Sequence, residues 1–234
     1  MRTDARSWSV RRRGVTRRLQ IQPLSPLLAL KIRTPRLELR LPTRAELETL
    51  ARLAQAGVHP PETMPFRVAW TDTAGEPDFV ESFIGFHEGQ RAAWRPERWH
   101  LLLAVWAEGE PAGSQALEAE DFAATRTVAT GSWLGRRFQG RGYGTEMRAA
   151  ALELAFAGLG AERARSGVIE GNVASARVSA KLGYEPAGEQ LVSPRGEPLR
   201  ETVLELTRER WAATRRAGIR IEGLEPCLPL FGVG

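Results

Sequence analysis

The stretch SWLGRRFQGRGYGTEMRAAALELAF, residues 132–156, sets Gly140, Gly142 and Gly144 at alternate positions between an apolar run and a helical pattern. Glycine inside regular structure costs about 0.5–1 kcal/mol relative to alanine, so three together answer a demand of the backbone. A strand, a glycine-rich turn and a helix form a general grip for phosphate. The first turn of the helix leaves N–H groups unpaired, its dipole adds partial positive charge, and glycine lets the main chain approach the ligand. Elsewhere in the chain stand groups able to move protons: the hydroxyl of Ser175, and the carboxylates Glu118, Glu120 and Asp121 on or after a preceding strand.

Spacing narrows the ligand. A P-loop ends in Gly-Lys-Ser/Thr, whereas Gly144 is followed by Thr145 and Glu146 with no lysine. A dinucleotide fingerprint needs glycine at its first, third and sixth positions. Counted from Gly140, the sixth is Thr145, and the strand before the loop belongs to an antiparallel meander. Both nucleotide readings fail.

The pattern that fits is Gln-x-x-Gly-x-Gly, on Gln139, Gly142 and Gly144. It resembles the pyrophosphate-binding motif of the GNAT superfamily of acetyl-CoA-dependent N-acetyltransferases. Downstream, NVASARVSAKLGYEPAG (172–188) is similar to the helix-and-strand segment that follows in that superfamily. Asn172-x-x-Ser175 with the closing Leu-Gly-aromatic resembles the bacterial branch of ribosomal-protein N-terminal (alanine/serine) acetyltransferases. The opening TPRLELRLPTRAEL and the long final segment are similar to that branch as well.

The resemblance implies a set of roles. Main-chain groups near Trp133 and Leu134 would pair with the pantetheine arm, the strands on either side of the loop helix would splay apart, and the acetyl carbonyl would lie in the gap, polarised by a backbone N–H. Gln139, Gly140, Arg141, Gly142, Tyr143, Gly144 and Thr145 would wrap the pyrophosphate; Arg136, Arg137 and Arg141 could add charge. Asn172 would contact the cofactor arm, although it reads equally as a helix N-cap. Many members carry a tyrosine acid where this chain has Ser179, so reprotonation of the leaving thiolate passes to Ser175, which also reads as an ordinary first-turn serine. No motif selects a base among Glu118, Glu120 and Asp121. Phe66, Trp70 and the HPPETMPF loop (59–66) are expected to shape the acceptor side. No covalent acetyl-enzyme is implied, because Cys227 lies far along the chain from both motifs.

Elements must hold these groups in place. RLELRL (36–41) alternates as a half-buried strand, and RAELETLARLAQAG carries leucines at helical spacing up to Gly57. The segment 78–94 brings Phe79, Phe83 and Phe86 onto one side of a second helix, joined by Val80 and Ile84. HLLLAVWA (100–107), AGSQALEAED and TRTVATGSWL (125–134) form a meander. The loop helix, Thr145 to Phe156, buries Met147, Ala150, Ala151, Leu154 and Ala155, with Glu146, Arg148 and Glu153 placed on the surface. After it come a strand, the helix 172–183, a hairpin turning at Pro194 and Gly196, a helix over RERWAATRRAG and a closing strand. The fold class is α/β, a mixed sheet of about seven strands with helices on both faces.

Composition locates the charge. The 234 residues carry a net +5, but 1–30 alone hold seven arginines against Asp4 and the remainder is close to neutral. Residues 1–30 therefore read as a disordered basic extension, as an RNA- or membrane-contacting arm, or as a targeting peptide, and 31–234 as one acetyltransferase domain. One cysteine excludes an internal disulfide, and His59, His87 and His100 have no ligand spacing, so no metal is expected. No run approaches the roughly 18 apolar residues of a membrane span. The expectation is a cytoplasmic, bacterial enzyme, a possible homodimer, needing no nucleic acid. It acetylates a primary amine, expected to be a protein N-terminus; the alternatives are a small amine (antibiotic, polyamine or amino acid) and a CoA-binding sensor without catalysis.

Overall fold

The structure, a computed structural model, describes residues 24–234. Nine strands form one sheet: β1 Lys31–Arg33, β2 Leu37–Arg40, β3 Arg98–Ala107, β4 Glu110–Glu120, β5 Thr127–Leu134, β6 Arg163–Ile169, β7 Glu185–Val192, β8 Leu199–Thr207 and β9 Arg220–Glu222. Their order is β7-β8-β6-β5-β4-β3-β2-β1-β9, and β5–β6 is the parallel pair. The count exceeds the expected seven. β1 and β9 have three residues each, too few to leave an alternation in the sequence, and they pair with each other at the sheet's end. Part of the stretch assigned to the basic extension is folded: Leu27 follows Pro26 in a 3-10 turn, and Leu27 and Leu30 are buried in the core. The arginines of the extension lie outside the described residues.

Among the described residues six α-helices cover the sheet: α1 Arg44–Gln55, α2 Phe79–Ala92, the single turn α3 Phe122–Thr125, α4 Tyr143–Glu153, α5 Val173–Lys181 and α6 Arg208–Thr214. α1 starts at a capping box, in which Thr43 accepts from Glu46 N and the Glu46 carboxylate accepts from Thr43 N. Arg40 grips the same carboxylate at 2.7 and 2.8 Å and holds it well below its usual range, at about 2. One group thus ties β2 to the start of α1, whose Leu47, Leu50 and Leu53 enter the core.

α4 departs from the amphipathic pattern expected of it. Every residue from Tyr143 to Glu153 except Gly144 and Glu146 is buried, so the helix is enclosed on all sides rather than lying on the sheet. Arg148 and Glu153, expected on the surface, are 4% and 5% exposed. Glu153 is neutralised by Arg215, with contacts of 2.5 and 3.0 Å. A π turn, Leu154–Gly158, ends the helix, and Arg208 donates to Phe156 O and Ala161 O beyond it.

In α2 the buried set is Phe79, Phe83, Ile84 and His87, while Phe86 stands half exposed. His87 packs at a tilt against Phe83, ring centres 4.8 Å apart, its Nδ1 has no partner, and burial pushes its pKa down to about 3, with Arg91 and His100 adding repulsion. The unfolded chain therefore binds the proton more readily than the folded one. Stability should fall as pH drops below about 6.5, by about 1.4 kcal/mol per unit, until about pH 3. Chemical denaturation from pH 7 to 4 should show this slope, and His87→Leu should flatten it.

Candidate active site

β5 and β6 are hydrogen-bonded through three register pairs, Thr127↔Arg163, Val128↔Ala164 and Ala129↔Arg165, and then part. Thr130 Oγ1 donates to Arg165 O at 3.3 Å at the fork, and its hydroxyl also meets the Tyr184 hydroxyl at 3.3 Å. Beyond the fork, β5 keeps β4 on one side as far as Gly113↔Leu134 and has no strand on the other. This leaves β5 beyond Thr130 without a strand on that side, where unpaired polar backbone needs a partner, although Thr130 O accepts from Ser166 Oγ and Leu134 O from Gln139 Nε2. The opening belongs to a cavity of about 1170 Å³, lined by β5, the start of α4, the start of α5, the 58–67 loop and the β7–β8 hairpin.

The close pairing of β4 and β5 at this point depends on Gly113. A Cβ there would meet Trp133 O at 2.1 Å and Leu134 Cα at 2.9 Å. Trp133 is fixed on its other side by Trp70 at 5.6 Å and Phe83 at 6.3 Å, and Phe66 meets Trp70 in a tilted contact at 5.3 Å. The sequence-assigned wall of Phe66 and Trp70 is thus continuous with Trp133, and Phe66 reaches the cavity.

The glycine loop turns from β5 into α4. Gly140 and Gly142 take φ of +73° and +84°, which side-chain-bearing residues adopt at a cost, and Gly142 is the helix N-cap. No side chain caps this end, so the N–H groups of Tyr143, Gly144 and Thr145 have no acceptor within the helix. Gly144 lines the cavity, and a Cβ on it would lie 3.5 Å from Val178 of α5. Gln139 Nε2 donates to Val58 O and Leu134 O at 2.6 and 2.8 Å, pinning the loop to the neighbouring segment. The Tyr143 side chain is buried away from the cavity and donates to Glu108 at 2.7 Å; Thr145 is buried as well. Arg141 pairs with Glu108 and Arg137 with Glu110 across the β3–β4 turn, so their charges are partly spent there.

Of the residues chosen from sequence, Trp133, Leu134, Gln139, Gly144, Asn172 and Ser175 meet in the cavity, while Gly140, Arg141 and Gly142 form the loop at its rim. Asn172 caps α5, its Oδ1 accepting from Ser175 N at 3.1 Å. Glu118 lines the cavity beside Ala129, and its carboxylate lies 3.4 Å from His100 Nε2. Burial pushes His100 below its ordinary value, with Glu118 opposing, so near neutral pH the ring is uncharged. Glu120 pairs with Arg98, and neither it nor Asp121 reaches the cavity.

Two buried charged groups in the cavity carried no sequence signal. Arg148 reaches in from α4. Glu201 of β8, 2% exposed, accepts from Arg67 Nε at 2.8 Å and from Gln190 Nε2 at 2.6 Å, fastening the 58–67 loop over β8. It fills the space above Gly167, where a Cβ would meet its Oε1 at 2.1 Å. A carboxylate at one position of the alternating strand LRETVLELT looks like any exposed strand residue. Arg67→Ala should leave this buried charge short of its donor and lower stability by about 2 kcal/mol. Glu201→Gln in that background should recover part of the loss, measured by urea denaturation of the double-mutant cycle.

A family model described as the acetyltransferase (GNAT) domain matches residues 36–185. Among solved structures, Mycobacterium smegmatis RimJ in complex with CoA-disulfide is 21% identical, with a TM-score of 0.63 over 81% of this chain and 97% of that one. The microcin C7 self-immunity acetyltransferase MccE, bound to acetyl-CoA and AMP, is 18% identical with a TM-score of 0.58, over 74% and 93% of the two chains. A chimera of the Vibrio cholerae spermidine N-acetyltransferase SpeG and hSSAT is 14% identical with a TM-score of 0.59, over 76% and 99%. With a forked sheet, an uncapped glycine-led helix and a family match over most of its length, the chain belongs to the GNAT family and is an N-acetyltransferase.

Proposed function

We propose that the chain transfers acetyl from acetyl-CoA directly to a primary amine, and that this amine is the N-terminus of a protein. The observation that carries the reading is the continuity of the free β5 edge with the uncapped start of α4 inside one cavity. A cofactor with a pyrophosphate at one end and an amide-bearing arm at the other matches both features. The N–H groups of Tyr143, Gly144 and Thr145 would hold the pyrophosphate. The arm would run along Trp133 and Leu134 as an added strand, with Asn172 at its side. Gly140, Arg141 and Gly142 give the loop its turn, and Gln139 fixes that turn to β5 and Val58.

The acetyl carbonyl would then lie at the fork, where a free N–H of β5 polarises it. The amine approaches from the face of the sheet carrying Trp133 and Glu118. Glu118 accepts the amine's proton through water, since it alone of the three candidate carboxylates lines the cavity. Attack forms a tetrahedral intermediate, its collapse expels CoA, and Ser175 of the α5 first turn supplies a proton to sulfur. Cys227 takes no part: it is buried, and burial pushes its thiol up.

The acceptor half of the cavity favours a peptide end over a polycation. The cavity sets Glu62, Glu118, Glu170, Glu197 and Glu201 among Arg67, Arg148, Arg165 and Arg195, so its walls carry both signs rather than a uniform acidic lining. An amine panel scored by thiol release should rank peptides beginning with Ala or Ser above spermidine and free amino acids; the reverse ranking would favour the small-molecule reading. Absence of any thiol release while CoA binds would favour a sensor. By calorimetry, Gly144→Asp should abolish CoA binding, because it sets a carboxylate at the phosphate site. Glu118→Gln should keep CoA affinity and lower turnover by on the order of 10²-fold.

A further inference from the structure

Arg148 is the buried charge in this cavity that the described residues leave without a counter-charge. Its side chain is 4% exposed, yet no carboxylate among the described residues pairs with it. Nη1 donates to Ser179 Oγ at 3.0 Å, Nη2 donates to Ser132 Oγ at 3.1 Å, and Nε has no acceptor. The remaining ionisable neighbour is the Tyr184 phenol, which burial pushes above its ordinary value and keeps neutral. Burial also pulls Arg148 down, but a guanidinium keeps its proton in proteins. A buried, unpaired cation is costly, and Glu153 on the same helix shows the usual remedy, a full ion pair with Arg215.

The position of this cation gives it a use. Arg148 follows Gly144 by one turn on the cavity side of α4, about 6 Å deeper from the helix start. Ser132, its anchor on β5, lies between Leu134 at the mouth and Thr130 at the fork. An arm that starts at the α4 terminus and follows β5 brings its sulfur to this end of the wedge.

We infer that Arg148 receives the negative charge of the departing CoA sulfur, with Ser132 and Ser179 aiming its guanidinium. The inference rests on the acetyl-CoA reading above. In the step concerned, the amine nitrogen bonds to the acetyl carbon and the carbon–sulfur bond breaks with its electron pair on sulfur. The amine's surplus proton passes to Glu118 and water, and sulfur is protonated afterwards through Ser175. A neutral thioester offers Arg148 no counter-charge, whereas the thiolate does. The contact is therefore stronger as the bond breaks than before it, which lowers the barrier rather than tightening substrate binding.

The test compares binding of CoA, desulfo-CoA and acetyl-CoA to the wild type and to Arg148→Gln by calorimetry from pH 6 to 9, with thiolate followed by ultraviolet absorbance. A cysteine thiol titrates near 8.5 and falls beside a cation. In the wild type, bound CoA should titrate at least one unit below free CoA, so its affinity should gain about tenfold over desulfo-CoA as pH rises. Arg148→Gln should erase this gain, lower kcat and leave the KM for acetyl-CoA unchanged, while Arg148→Lys should restore part of it. Ser132→Ala, which removes one anchor but keeps the charge, should weaken the gain and serves if Arg148→Gln fails to fold. An unchanged thiol titration in Arg148→Gln, or in Ser132→Ala should that variant alone fold, would overturn the inference even if melting temperature fell. A wild type that binds neither CoA nor acetyl-CoA would instead remove the acetyl-CoA reading and this inference with it.

Discussion

The parting of β5 from β6 is the constraint on which the rest of the molecule turns. A parallel pair is ordinarily bonded along its length, and abandoning the ladder after Ala129↔Arg165 exposes backbone groups inside the protein. The fork is held by neighbours on all sides. Thr130 ties itself to Arg165 O and to Tyr184, Gly113 lets β4 stay close to β5, and α4 fills the space below. Removing β6 as a partner leaves β5 able to accept something else along that edge. Function begins with a deliberate deficit of hydrogen bonds.

α4 meets the same constraint at its N-terminus. Its first turn could have been capped by serine or aspartate, but Gly142 offers no side chain and stands in the left-handed region to turn the chain. Both deficits, a strand edge and a helix end, face the same cavity. Beyond them the helix is fully enclosed, which explains why its charged residues behave so differently. Glu146 is held by Arg36 and Thr34, and Glu153 by Arg215, whereas Arg148 has only hydroxyl partners. The one incomplete arrangement is the one that opens on the cavity.

The glycine loop, the proposed phosphate-binding end, was legible because it depends on local backbone geometry, and Gly140, Gly142 and Gly144 record that geometry directly. Asn172 was legible for the same reason, its capping bond to Ser175 spanning three residues. The meander and the long helices followed from apolar periodicity, and the β7–β8 hairpin from the turn residues Pro194 and Gly196. The groups that escaped detection owe their position to distant contacts. Arg148 sits among small apolar residues in a helix whose outer face turns out to be covered, and only tertiary enclosure distinguishes it from a surface arginine. Glu201 meets Arg67 across 134 residues of sequence. Periodicity read α2 as burying Phe86, but the histidine one position on is the residue enclosed. Strands of three residues leave no period at all.

The sheet register also separates the two halves of the proposed reaction. On β5, Ser132 pairs with Gln115, and on the opposite face Trp133 pairs with Ser114 and Ala129 with Glu118. Successive side chains on a strand point to opposite faces, so Arg148 and its serine anchor lie on one face while Glu118 and Trp133 lie on the other. An intact sheet would keep them apart with a continuous wall of backbone. The fork is where the wall is interrupted, so a base on one face and a cation on the other can act on a single bond held between them. On this arrangement, proton removal from the amine and charge reception at sulfur are assigned to opposite faces of the sheet. Neither group can neutralise the other before the substrates arrive.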